Sequence, residues 1–376
     1  MPGPLRDIRV LDFSTLLPGP MATLFLAEAG AEVIKVERPG RGEEMRSYTP
    51  KWGRDSGNFH MLNRGKKSIA LDLKDPAQRD RILGLVKSSD IIVEQFRPGV
   101  MDRLGLGYDA VRKINPDIIY CAITGYGQKG PKAMRAGHDL NYIGDAGLLA
   151  LSSGTVQAPV IPPALIADIA GGTYPAVLNI LLALRERDMD GTSAYLDISM
   201  ADNLFPFMYW AMADGQVADQ WPGNGDALVT GGSCRYRLYA TQDARFLAAA
   251  PLEQKFWEAF CEAIDLPPDL RDDTVDPSAT EQAVERIIAA KPATHWQDVF
   301  EAADCCCSIV ATVQDALRDP HFNARGVFAH KLSGADGATI AALPTPIARA
   351  FAADSKTARF APALGADNDL LTDVAP

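Results

Sequence analysis

The stretch Ile8–Glu37, IRVLDFSTLLPGPMATLFLAEAGAEVIKVE, decides the fold. Ile8–Ser14 is a compact apolar run of strand length. The turn Leu17-Pro18-Gly19-Pro20 follows, then the helix-like MATLFLAEAG, then a second strand at Glu32–Glu37. Strand, helix and strand in that order make one unit of a parallel sheet covered by helices. The pattern continues outward. Ser68–Leu73, Asp90–Gln95 and Asp117–Ile123 have strand character, with helices expected over Lys74–Lys87 and Asp109–Ile114. The first half is therefore expected to be a Rossmann-like α/β domain. Pro175–Arg187 is a strongly apolar helix whose body should be buried.

At 376 residues the chain exceeds what one core usually organises, so two domains are expected. Glycine and polar residues dominate 215–232. This places a large domain over 1–215, completed by about 330–376, and a smaller α+β domain over 225–325. Linkers fall near 215–232 and 326–345. Apolar residues at 47% and charged residues at 23% fit a globular protein. No unbroken apolar run approaches the roughly 18 residues of a membrane helix, and MPGPLRDIRVLDF lacks the apolar centre of an export signal. The expectation is a cytoplasmic protein with no membrane partner. Its six cysteines then read as thiols. Cys305, Cys306 and Cys307 stand in a row and cannot easily aim at one ion, so they are expected to be small buried side chains and no metal is expected. The net charge of −11 disfavours a nucleic-acid partner.

A dinucleotide site needs G-x-G-x-x-G directly after the first strand. Here that place reads Ser14-Thr15-Leu16-Leu17-Pro18-Gly19-Pro20, and no P-loop occurs elsewhere. Nicotinamide, flavin and ATP are disfavoured. Basic residues do gather near strand ends: Lys35 and Arg38, then Arg64, Lys66 and Lys67, then Arg97. Ligands of open parallel sheets collect at the carboxyl ends of the strands, and arginine grips phosphate with two hydrogen bonds. Any one of these cations alone is an ordinary solvated charge. As a group they point to a phosphorylated ligand.

Several blocks also resemble one family in its own order. VIKVERPG (33–40), NRGKKSIALDLK (63–74), EQFRPGVMDRLGLGYD (94–109), INPDIIYCAITGYGQKGP (114–131) and GTSAYLDISMAD (191–202) are similar to successive motifs of the family III CoA-transferases. The likeness resumes at SCRYRLYATQDARFLAAAPLEQKFW (233–257) and ATHWQDVFEAADC (293–305). Within the family, RAGHDLNY (135–142) and ALIADIAGG (164–172) resemble the alpha-methylacyl-CoA racemases. That resemblance implies His138 and Asp168 as the catalytic pair and Glu253 as a partner of His138. It implies Arg38 and Arg97 at the nucleotide end of coenzyme A, and Arg64 and Lys67 complete the expected binding set. Coenzyme A enters as part of the acyl-CoA substrate; no permanently bound cofactor is expected. The resemblance further implies ring-shaped subunits interlocked as a homodimer, with each active site shared between subunits.

The chemistry suits those residue types. Removing the proton alpha to a thioester carbonyl gives an enolate, and inverting that centre needs a base on each face. An imidazole and a carboxylate that titrate near working pH can share the task. Gly137, Gly171 and Gly172 would let substrate approach the backbone, and a helix N-terminus would favour ionised Asp168. Each residue also has a plainer role: Asp168 as an N-cap, His138 as a structural histidine, Glu253 as an exposed helix-start glutamate. The apolar stretch Phe205–Met212 is expected to meet the acyl chain or to be core. The other reaction open to this family is CoA transfer between carboxylic acids, with Asp168 as nucleophile and an aspartyl-CoA thioester as intermediate. The chain departs from the family at Met189-Asp190-Gly191-Thr192-Ser193, where a T-G-x-G-Q run is usual. It departs again at Val310, where the racemases' C-x-x-P motif has proline. These differences bear on the substrate and leave the expected fold intact.

Overall fold

The strand–helix–strand unit forms over β1 (Arg9–Asp12), α1 (Pro18–Glu28) and β2 (Glu32–Glu37). The structure is a computed structural model that describes residues 3–154, 158–334, 337–352 and 359–371. Pro18 at the first helical position sets φ in advance and gives up an amide that would have no partner there. Every residue of α1 is buried, which is why its sequence is apolar all round instead of on one stripe. Strands β3 (Lys67–Ala70), β4 (Ile91–Glu94), β5 (Ile119–Thr124) and β6 (Ala194–Ser199) complete a six-stranded parallel sheet in the order β3-β2-β1-β4-β5-β6. Successive strands run outward in opposite directions from β1 and β4. The crevice between those two strands is the switch point at which such sheets hold ligands.

One face of the sheet packs against α2 (Pro76–Val86), burying Leu11, Ile34, Ile69, Ile92 and Tyr120 with Ile82 and Leu85. The helix α3 (Asp139–Asp145) follows β5, and α4 (Tyr174–Asp190) precedes β6 and packs on α1. The body of α4 is buried on one side only. Ala176, Ile180, Ala183 and Leu184 face inward, whereas Tyr174, Leu178, Leu181 and Leu182 are exposed. With the turn before it, α4 makes a continuous helix Ala167–Asp190 that is long and apolar enough, by length and composition, to cross a membrane. The end of the chain covers the edge strand β3. The Asp367 carboxylate accepts from the Ser68 amide at 2.8 Å, and the Asn368 side chain accepts from Ala70 at 2.7 Å. An unpaired strand edge is a template for aggregation, and these two side chains occupy it. Residues 353–358 and 372–376 of the expected closing segment lie outside the described residues.

Contacts divide the chain into two units. The first comprises Met1–Ala146, Ala164–Pro206 and Pro320–Pro376; the second comprises Gly147–Pro163 and Phe207–Asp319. The glycine-rich stretch expected as a linker at 215–232 lies inside the second unit, and its first residues finish the helix Tyr209–Ala218. The second unit has a three-stranded antiparallel sheet, Arg237–Ala240, Phe246–Ala249 and Cys307–Ile309, over helices that bury Trp257, Phe260, Trp296 and Phe300. In the cysteine run Cys305 is buried as expected. Cys306 is exposed with φ of +58°, and Cys307 is half-buried.

Beneath the carboxyl ends of β1 and β2 lies a group of buried charges. Lys66 Nζ meets Asp12 Oδ2 at 3.1 Å and Lys35 Nζ meets Glu43 Oε2 at 3.3 Å, with all four side chains almost wholly shielded from solvent. Burial alone would raise the Asp12 pKa. Lys35 and Lys66 beside it, with hydrogen bonds from Ser14 and Thr23, hold it well below the usual carboxylate range. Burial brings Lys66 down to about 8 against the attraction of Asp12. Charges taken out of water this completely persist only when paired and hydrogen-bonded, and removing one partner typically costs about 3–5 kcal/mol.

Candidate active site

His138 and Asp168 are far apart in sequence, and one carboxylate joins them. Asp168 sits in the π-helical turn Ala167–Thr173 that runs into α4. The first amides of such a turn have no intrahelical acceptor. The buried carboxylate of Asp139, the residue directly after His138, supplies one. Its Oδ1 accepts from the Asp168 amide at 3.0 Å, and the amides of Ala167 and Ile166 lie near enough to favour its charged form. The capping role open to Asp168 therefore belongs to Asp139. His138 itself is exposed at the head of α3, its amide donating to Asn141 Oδ1 at 3.0 Å.

This arrangement perturbs Asp168. Burial first, and the neighbouring Asp139 carboxylate second, push its pKa up to about 7. Tyr142 lies close enough for burial and the Asp168 charge to raise its own pKa, with Arg97 acting the other way. The Tyr142 hydroxyl donates to the Gly137 carbonyl at 2.6 Å. A Cβ at Gly137 would stand 2.7 Å from the Tyr142 ring, and one at Gly125 would stand 2.4 Å from it. The glycine freedom expected to admit substrate at Gly137 is spent on seating this tyrosine. Gly171 and Gly172 are corrected in the same way. A Cβ at Gly171 would fall 2.3 Å from the Met200 carbonyl oxygen, and one at Gly172 would fall 3.1 Å from Pro18 Cβ. Both glycines let the π-helical turn sit hard against the end of β6 and the start of α1.

The expected binding cations divide sharply. Arg38 is exposed just past β2; its Nε donates to the Gly42 carbonyl at 2.7 Å and its Nη2 meets Glu44 at 3.0 Å. Such exposed pairs are weak and exchangeable. Arg97, just past β4, is exposed, and its side chain makes no hydrogen bond or ion pair among the described residues. It borders a cleft of about 290 Å³ walled by Glu94, Tyr108, Tyr120 and Tyr195. Burial pushes the Glu94 carboxyl up to about 7. Arg64, in contrast, is buried, with its guanidinium spread over Glu28 at 3.0 Å and the carbonyls of Met61 and Leu343. It ties the returning end of the chain to α1, and its burial keeps it from a ligand at the surface. Lys67 opens β3 at the amino end of the sheet and pairs with Glu32, which opens β2. It stands at the wrong end of the strands. Lys35 and Lys66 belong to the buried charge group described above. Glu253 is exposed in the second unit, where it precedes helix Gln254–Ala263 without capping it through its side chain.

The model of CoA-transferase family III matches residues 5–368. The chain belongs to CoA-transferase family III. Among relatives of this family III chain, the human alpha-methylacyl-CoA racemase is 31% identical over 328 residues, covering 86% of this chain and 82% of that one. The acetyl-CoA:oxalate CoA-transferase of Acetobacter aceti is 32% identical over 340 residues, covering 86% and 85%. The crystal structure of a CAIB/BAIF family protein from Brucella suis superposes with a TM-score of 0.82 at 26% identity, over 99% of each chain. A racemase and a transferase thus stand at the same distance from this chain. Overall similarity does not separate the two reactions.

Asp139 matters to Asp168 through charge as well as through hydrogen bonds, which yields a test. Asp139→Asn keeps an acceptor for the turn and removes the negative charge. The Asp168 carboxyl, followed by carbon NMR, should then titrate below its value of about 7 in the parent protein. An unmoved midpoint would mean that burial alone sets it.

Proposed function

We propose that this family III enzyme inverts C2 of a 2-methylacyl-CoA thioester by two-base proton transfer through an enolate, with His138 and Asp168 as the bases. The observation that carries this reading is the Asp168 amide bonded to Asp139, the residue directly after His138, with the Asp168 carboxyl pushed up to about 7 by burial and by that neighbour. A base that takes a proton in one direction and returns one in the other works best when its pKa lies near the operating pH. With one proton shared by the pair, one member is ready to accept while the other is ready to donate. A carboxylate acting only as a nucleophile gains nothing from being half protonated.

On this reading Arg38 and Arg97, the two exposed cations past β2 and β4, take the nucleotide end of coenzyme A across the switch point. The acyl group is held by the stretch 205–212, where Phe205, Phe207, Tyr209 and Met212 are exposed in place of forming core. The enzyme works as an interlocked homodimer in which Glu253 from one subunit orients His138 of the other. The exposed stripe Tyr174, Leu178 and Leu182 on α4 supports burial against a second copy, since single-chain proteins seldom leave such runs in water. Sedimentation should show a dimer that does not dissociate on dilution; a reversible monomer–dimer equilibrium would exclude interlocking.

The Acetobacter relative favours the second reading, CoA transfer with Asp168 attacking the thioester. Two variants separate the two. Under proton transfer, His138→Ala and Asp168→Asn each lose inversion by roughly 10²–10⁴-fold, as for a lost general acid–base group. Each keeps exchange of the C2 proton with one substrate epimer only, on the face that retains its base. Under CoA transfer, Asp168→Asn is inactive, His138→Ala keeps most activity, and hydroxylamine traps an aspartyl thioester in the parent enzyme. In the same assay Arg97→Ala should raise KM for acyl-CoA with kcat little changed, because the remote nucleotide gives mostly uniform binding. An unimpaired His138→Ala enzyme would remove the racemase reading.

A further inference from the structure

We infer that Cys305 and Cys307 form a dithiol centre in the second unit, oxidised reversibly by peroxide to a disulfide that closes across Cys306. The inference is independent of which reaction the enzyme performs. It begins with the chain, which places three of its six cysteines at consecutive positions. Adjacent thiols cannot easily aim at one ion, and among the described residues no group of histidine, cysteine and carboxylate side chains is arranged to hold a metal. Neighbouring sulfurs have a second chemistry open to them, the exchange of electrons with an oxidant.

The fold sorts the three by position. Helix Ala293–Ala303 ends at Asp304, and the chain turns there into the strand Cys307–Ile309. Asp304 and Cys306 both have positive φ, +47° and +58°. The turn is held from the neighbouring strand: the Ala250 amide donates to the Cys306 carbonyl at 3.0 Å, and Cys307 pairs with Ala249. Cys306 is exposed at the apex. Cys305 lies in the core beside Trp257, Phe260 and Phe300, and half-buried Cys307 packs against the same cluster. The Cys307 side chain folds back over the turn, so that its Sγ stands 3.5 Å from the Cys305 carbonyl oxygen.

A disulfide needs Cα atoms about 4.4–6.8 Å apart. Residues two apart cannot exceed about 7.6 Å even when fully stretched, and a turned middle residue brings them inside the range. A bond from Cys306 to either neighbour would instead close a small ring around one planar trans peptide, which such a ring strains. Cys305 and Cys307 are therefore the pair able to close. Their thiols lie near enough to affect one another. Cys307 is the main cause that lowers the Cys305 pKa, whereas burial raises those of Cys121, Cys234 and Cys261. The thiolate is the reactive form, which makes Cys305 the attacking sulfur.

Hydrogen peroxide is little larger than water, and half-buried Cys307 opens the pair to it. The Cys305 thiolate attacks one peroxide oxygen. An S–O bond forms, the O–O bond breaks, and the hydroxide released takes up the proton that Cys305 had lost. Cys307 sulfur then attacks the sulfenic sulfur of Cys305. The S–S bond forms, the S–O bond breaks, and a second water leaves with the Cys307 proton. The two sulfurs lose one electron each, and peroxide is reduced to two waters.

The test treats the full-length protein with hydrogen peroxide, removes the excess, blocks free thiols by alkylation and measures intact and peptide masses. The parent should lose two titratable thiols and about 2 Da, mapped to Cys305 and Cys307 and reversed by dithiothreitol. Cys306→Ser should form the same bond. Cys305→Ala and Cys307→Ser should not form it, and circular dichroism checks that at least one of them is folded. A parent that keeps all its thiols would overturn the inference. So would a reversible bond that survives in folded Cys307→Ser or Cys305→Ala, or one that maps to Cys306.

Discussion

A buried carboxylate needs hydrogen-bond donors, and the first amides of a π-helical turn need acceptors; Asp139 meets both needs at once. The position of His138 relative to Asp168 follows from that match, since His138 is the residue before Asp139. The rest of the site depends on it. Gly171 and Gly172 hold the turn against β6 and α1, and Tyr142, seated on Gly125 and Gly137, closes the other side of α3. The same carboxylate that anchors the turn raises the pKa of the residue it anchors. One group therefore fixes the geometry and adds to what burial does to the protonation state.

A second constraint operates at the switch point. Lysines 35 and 66, Asp12 and Glu43 are all buried there, and each is paired. Such a group stabilises little compared with an apolar core of equal volume, because desolvation offsets most of the attraction. The buried charges and the exposed arginines do different work. The former lie beneath the carboxyl ends of β1 and β2, and Arg38 and Arg97 remain exposed just past β2 and β4.

Much of the fold was legible in the chain. The expected strand Glu32–Glu37 falls on the same residues in the structure, and the alternation of apolar runs with helical segments led directly to a parallel sheet. The family was legible too, through blocks in a fixed order, and the match over 5–368 bears it out. The cations were not. Arg64, Lys66 and Lys67 sit within four consecutive positions, yet the first two are buried and the third lies at the amino end of the sheet. Their partners Glu28, Asp12 and Glu32 are distant in sequence, so local pattern could not pair them. One signal was available: Asp12 interrupts an otherwise apolar strand, and a carboxylate there demands a buried cation. Asp139 was likewise in view beside His138, but the amide that donates to it lies in the block around Asp168 and only the folded chain joins them. The reaction was illegible for a different reason, because a racemase and a CoA-transferase resemble this chain equally.

The claim that His138 and Asp168 move a proton at C2 is tested most directly in deuterated water. The enzyme is incubated with a single epimer of a 2-methylacyl-CoA and no acceptor acid, and the thioester is recovered for mass and stereochemical analysis. Two-base proton transfer predicts deuterium at C2 together with loss of optical purity, although nothing is present to receive coenzyme A. Recovery of the starting epimer with its C2 hydrogen intact, followed by consumption only when a carboxylic acid acceptor is added, would contradict it.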